Sequence, residues 1–230
     1  MSNFKFVTTL SLLASLALPM TAQAGVVPTG IQAGVSAATV TGWGWKECHR
    51  SAVNASSAIA NVLDACQGTH LMMGFASAAG QYDILGAGSY AAVTKITYAD
   101  HTSDNNGAKL DNWSNGLNFY RTEGYGSWGF TTNKITELYS ADIFLRNGVQ
   151  VEFGKAEGEL SKGLSFHVYN GSLTSGWSYN LTGNDIVSMY SGDRVFLSYT
   201  EKSADVPEPG ILVLIGIGLA GAGIARRRKA

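Results

Sequence analysis

The sequence predicts a mainly β fold, a β-sandwich or jelly-roll-like body with one short helix. Three observations carry that expectation. Short runs rich in β-branched and aromatic residues recur through the middle of the chain, separated by Gly, Asn, Asp and Ser. Asn-Gly dipeptides at 106–107, 115–116, 147–148 and 170–171 are tight-turn signals. No clean period of about twenty to fifty residues repeats, which disfavours a solenoid or propeller. Many short strands joined by Gly-rich turns close instead into sandwiches or barrels.

The chain ends are read apart from this body. Residues 1–24 carry one charged side chain, Lys5, then an apolar core through Leu10, Leu12, Leu13, Leu16 and Leu18, then Pro19 and Ala22-Gln23-Ala24. That order of charge, apolar core and small residues is a secretory signal helix, with the cut expected between Ala24 and Gly25. An uncleaved anchor is the poorer reading, because the core is short and an A-x-A site is present. The partners this implies are the general secretion machinery and a signal peptidase.

Inside the body, Trp43-Gly44-Trp45 places two indoles on one side of an extended segment. Facing solvent, Trp43 and Trp45 would form a sugar-stacking platform; facing inward they would be core, as aromatics in sandwiches usually are. Cys48 and Cys66 follow, and in an oxidising compartment such a pair is expected to form a disulfide. His49 and His70 lie near them in sequence, but adjacent Cys48-His49 suits one tetrahedral zinc poorly and the usual ligand spacings are missing. Between the cysteines, Ile59, Val62, Leu63 and Cys66 fall on one apolar face and predict the helix. Asn54, Ser56 or Ser57 would cap its start and Gly68 would end it.

Strands are predicted at 71–75, 81–86, 91–98, 117–121, 127–132, 149–153, 163–169 and 194–200. Gly163-Leu164-Ser165-Phe166-His167 superficially resembles a nucleophile elbow, but the closing Gly is a His and no strand-to-helix turn is signalled. Ser165 and His167 are therefore read as two positions on one face of a strand. The oxygen-rich stretch from Asp100 to Gly107, with Asp111 beyond, departs from the calcium-loop pattern and is read as a solvated turn. Sequons stand at Asn54, Asn112, Asn170 and Asn180.

The C-terminus carries the sharpest motif. Val206-Pro207-Glu208-Pro209 precedes an apolar run from Gly210 to Ala225 and a basic tail, Arg226, Arg227, Arg228 and Lys229. The run of sixteen residues spans roughly 24 Å as a helix at about 1.5 Å per residue, short of the roughly 30 Å hydrocarbon core. A transmembrane helix this marginal suits temporary retention, with its positive end held in the cytoplasm. The three parts in this order resemble the PEP-CTERM sorting signal of bacterial exported proteins. The resemblance implies recognition by exosortase, an integral-membrane transpeptidase, and a cell-surface or exopolysaccharide-associated, biofilm-matrix destination. The two prolines keep the segment extended and free of amide donors.

Residues 1–24, 25–205 and 206–230 are thus expected to be signal peptide, exported β-rich domain and sorting signal. Setting aside Lys5 and the four tail cations leaves 11 basic residues in the exported part, and setting aside Glu208 leaves 16 acidic ones, a net charge of about −5. That argues against nucleic-acid binding, which calls for a basic patch. A second, looser resemblance covers most of the domain. Trp45 and Cys48, Cys66-x-Gly68-x-x-Leu71-Met72-Met73, Asn115-Gly116 before Phe119-Tyr120, Ser127-Trp128-Gly129-Phe130 and Leu164-Ser165-Phe166-His167 are similar to an extracellular domain of several PEP-CTERM proteins. It implies a shared disulfide and a shared fold only.

The functional expectation is a non-enzymatic protein without cofactor or metal, held briefly at the inner membrane and then released to the cell surface or matrix. A carbohydrate-binding module for exopolysaccharide is the alternative, and a secreted hydrolase a weaker one.

Overall fold

The computed structural model describes residues 25–98, 111–132, 144–146, 149–151, 162–182 and 186–201. In chain order the elements begin with β1 (Ile31–Ser36), α1 (Ala37–Gly42), β2 (Lys46–Ala52), β3 (Ser57–Ala58), α2 (Ile59–Ala65), β4 (His70–Ala76), β5 (Gln81–Ser89) and α3 (Tyr90–Thr94). They continue with β6 (Trp113–Ser114), β7 (Leu117–Arg121), β8 (Tyr125–Thr131), β9 (Phe144–Arg146), β10 (Val149–Val151), β11 (Gly163–Tyr169), β12 (Ser172–Asn180), β13 (Ile186–Ser188) and β14 (Asp193–Tyr199).

Two antiparallel sheets form a sandwich. The first has the order β1-β5-β4-β14-β2, and the second β13-β12-β11-β8-β7-β6 with β3 added beside β12. Their facing sides share one core. Leu71, Met73, Phe75, Ile84 and Phe196 of the first sheet meet Phe119, Trp128, Phe130, Phe166 and Val168 of the second. The Trp128 and Phe196 rings, one from each sheet, lie 5.0 Å apart. Burying side chains of this size contributes about 1.5–3 kcal/mol each relative to exposure. Gly86 on β5 makes room for this approach, because a Cβ there would come 2.6 Å from the Phe130 ring.

The outer face of the first sheet has its own apolar layer. Met72, Leu85, Ala87, Val195 and Leu197 are covered by Val40 of α1, Trp45 and the partly buried Val27 and Trp43. The first sheet is therefore sandwiched on both sides, which explains why β4 is buried along almost its whole length.

Six predicted strands, at 71–75, 81–86, 117–121, 127–132, 163–169 and 194–200, fall on β4, β5, β7, β8, β11 and β14. Of the predicted 149–153, Val149–Val151 is strand. Asn115-Gly116 and Asn170-Gly171 turn with positive φ at both residues, +52° and +80°, then +46° and +72°. Those values match the mirror-image turn that fits strand twist. The dipeptides at 106–107 and 147–148 lie outside the described residues.

The predicted strand 91–98 is a correction. Tyr90–Thr94 forms α3, because Ser89 caps it by accepting from Ala92 N and the Val93 carbonyl accepts the Trp128 indole N–H at 2.8 Å. Trp43-Gly44-Trp45 is not extended either: Trp43 ends α1 in helical conformation and Gly44 turns at φ +89°.

The predicted apolar helix face is present, with Ile59, Val62 and Cys66 buried and Leu63 packed beside them. Its capping differs from expectation. Ser57 and Ala58 are taken by β3, pairing with Leu173 and Ser172, so the cap position is Ala58, which makes no side-chain hydrogen bond. Ile59 N donates instead to Gly171 O at 2.9 Å, a backbone cap supplied across the chain.

Cys48 and Cys66 are joined, with Cα atoms 5.1 Å apart, tying edge strand β2 to the end of α2. With the half-cystines 18 positions apart in sequence, loop closure is worth about 3 kcal/mol. Replacing both cysteines by serine is expected to lower unfolding free energy by about that amount, read from urea denaturation midpoints against the oxidised protein.

Candidate functional site

The residues singled out from the sequence are dispersed over the fold. Trp45 is 2% exposed and donates its indole N–H to Val26 O at 2.8 Å. It is core, so the stacking platform proposed for Trp43 and Trp45 does not exist in that form. Trp43 is half-buried against the same outer layer. Both cysteines are in the disulfide, which removes them as metal thiolates. Among the described residues no group of three or more His, Cys, Asp or Glu could hold a metal ion. Ala22, Ala24, Val206–Pro209, the apolar run 210–225 and Arg226–Lys229 lie outside the described residues, as do His101 and most of the Asp100–Asp111 stretch.

Ser165 and His167 stand on one side of β11, with Leu164, Phe166 and Val168 turned to the core. Ser165 is fully buried and its Oγ has no hydrogen-bond partner. The His167 Nδ1 is directed elsewhere, 3.1 Å from Ser175 O and 3.3 Å from Thr174 Oγ1. Two of the sequons are structural: Asn112 donates through Nδ2 to Ala92 O and Phe119 O, and Asn180 is fully buried.

An aromatic group that the sequence reading did not single out lies at the end of the second sheet. Tyr169 on β11 is opposite Tyr125 on β8, and their rings meet edge to face at 5.8 Å. Tyr125 also meets the His167 imidazole edge to face at 5.0 Å. Tyr169 is 53% exposed. The alternation of Ser165, His167 and Tyr169 before an Asn-Gly turn was the available signal.

A second unanticipated group is Arg194, fully buried in β14 with no carboxylate partner among the described residues. Its guanidinium donates to the carbonyls of Ala52, Ala55 and Thr174, closing the turn after β2 onto the sandwich edge. Burial pulls its pKa down to about 10. Burial, then the nearby Arg194 charge, lowers that of His49, whose Nε2 lies 3.1 Å from Ser57 Oγ. On the outer layer Tyr82 donates to Glu47 at 3.0 Å, and burial followed by that carboxylate pushes its phenol up to about 12. No strand in the sequence advertises the Arg194 and Tyr82 contacts, because both are made between distant segments.

The third grouping lies where the body leads into its C-terminal tail. Gly25, the first described residue, sits against the Tyr199 ring, and Tyr199 packs with Trp45 at 5.5 Å and His70 at 6.0 Å.

Residues 205–229 match the PEP-CTERM protein-sorting motif. No significant match appears among curated proteins or solved structures. The chain thus carries an exosortase recognition signal behind a disulfide-bonded β body whose described strands pair antiparallel. The motif implies processing by exosortase, a transpeptidase, and marks export with membrane-associated sorting to the cell surface.

Removing the partnerless Ser165 hydroxyl is expected to be neutral or stabilising, because a buried hydroxyl without a hydrogen bond is a cost. Ser165→Ala should leave the thermal midpoint unchanged or raise it by a few degrees, about 1 kcal/mol, measured by thermal unfolding.

Proposed function

We propose that this chain is a non-enzymatic cell-surface or extracellular-matrix protein whose exported domain spans 25–205. It is secreted by the general route, cut between Ala24 and Gly25, held at the inner membrane by residues 210–225, and transferred by exosortase into the exopolysaccharide-rich matrix. The observation that carries this reading is the sorting motif at 205–229, which follows the last described strand, β14, ending at Tyr199. The buried Ser165 and the turning of His167 toward Thr174 and Ser175 support a body without a hydrolytic centre. Mass spectrometry of the extracellular protein tests the proposal. It should begin at Gly25, contain the Cys48–Cys66 bond and lack Arg226–Lys229; a chain ending at Ala230 would instead argue for a lasting anchor.

A second reading, carbohydrate binding, is favoured by the exposed Tyr169 with Tyr125 and His167 beside it. A tyrosine face with polar neighbours suits the apolar face of a sugar ring. Affinity electrophoresis through the producing organism's own polysaccharide tests this. Tyr169→Ala should abolish retardation at least tenfold in apparent affinity, about 1.4 kcal/mol, while Trp43→Ala should leave it within twofold. Equal retardation of Tyr169→Ala and wild type would end the reading.

A further inference from the structure

The first described residues and the end of β14 meet in one cluster of contacts. A Cβ on residue 25 would come 2.2 Å from the Tyr199 ring, so any larger residue there must displace that ring. Beside it, Val26 N donates to Trp43 O at 2.9 Å, and Val26 O takes the Trp45 indole N–H. Trp45 and His70 then flank the same Tyr199 ring.

Tyr199 is also the last residue of β14, and its carbonyl is doubly held. Thr69 donates to it through both N and Oγ1, at 3.0 and 3.1 Å. The same Thr69 Oγ1 accepts from Glu201 N at 2.9 Å. Between Glu201 and Val206 stand only four residues, a reach of at most roughly 18 Å. The ring side of Tyr199 therefore carries the N-terminal segment, while its backbone anchors the root of the tail.

We propose that these contacts form a clasp coupling the cut N-terminus to the sorting tail. Hydrolysis of the Ala24–Gly25 bond by water, catalysed by signal peptidase, leaves a carboxylate on Ala24 and a free ammonium on Gly25. That new terminus seats against Tyr199, holds the end of β14 in place, and keeps the tail on a short lead. Were the clasp open, each residue peeled from β14 would lengthen the lead by about 3.3 Å, and the body would hang farther from the membrane enzyme. The purpose assigned to the clasp rests on the sorted-substrate reading; the coupling itself does not.

The test uses the exported full-length chain in detergent, with trypsin cleavage after Lys202 followed by mass spectrometry. Gly25→Leu should accelerate that cut at least about tenfold, since a protease reports local opening. Cuts after Arg50 and Arg194 should stay at wild-type rates, and Gly42→Leu, where a Cβ meets nothing within 4 Å, should change none of them. Coupling is reciprocal, so Thr69→Val should speed amide exchange at Val26 by a similar factor. This second variant keeps the test decisive if Gly25→Leu loosens the whole fold. A cut after Lys202 within twofold of wild type in an otherwise folded Gly25→Leu, or unchanged Val26 exchange in Thr69→Val, overturns the clasp. Failure of the sorting reading looks different: an exported chain still ending at Ala230, with the trypsin and exchange rates unaffected.

Discussion

The contact between Trp128 and Phe196 holds the architecture together. Trp128 is fully buried at the middle of β8, and Phe196 projects from β14 in the opposite sheet to meet it at 5.0 Å. Phe166 reaches the same Phe196 ring from β11 at 6.0 Å. The indole N–H would be costly in such a place without a partner. The Val93 carbonyl supplies one, and in doing so it fixes α3 over the end of the core. The Arg121 guanidinium lies 5.6 Å from the centre of the Trp128 ring, and burial lowers its pKa. One side chain thus joins two sheets, a helix and a cation.

The two outward faces solve the covering problem differently. On the first sheet the N-terminal segment and α1 lie over an apolar layer, so the exported body keeps residues 25–45 as part of its fold. On the second, fully buried positions are polar or aromatic: Asn118, Tyr120, Ser127, Thr131, Ser165 and Asn180. Gly129 leaves space there for the Tyr120 hydroxyl, which donates to Leu164 O at 3.3 Å. Tyr120 is fixed there by its hydrogen bond, whereas the Ser165 hydroxyl on the same face is buried without one.

The strands rich in Val, Phe, Tyr and Leu were legible because their composition and the Asn-Gly turns agree. The strands β1, β2 and β12 were not, since Lys46–Ala52 is mostly polar and Ser172–Asn180 has few apolar residues, and both draw their stability from neighbours distant in sequence. Tyr90–Thr94 was misjudged for a related reason: a β-branched run became helix once Ser89 capped it and Trp128 bonded to it. The cysteine pairing was legible from compartment and count. The Tyr125–His167–Tyr169 group and the docking of Gly25 were not, because each depends on register between strands or on the return of a remote segment.

The sheet margins carry a further consequence for a protein delivered to a crowded exterior. The free margin of β2 bears Lys46, Glu47 and Arg50, with Arg50 bridging to Glu47 and to Asp193 at 2.8 Å. At the opposite margin, β1 has no charged side chain, but Gly34 bends it at φ +63°. Unsatisfied strand edges invite lateral polymerisation, and charge or a bend discourages it. The charged margin of β2 and the bend in β1 therefore discourage edge-to-edge pairing of neighbouring copies at those strands.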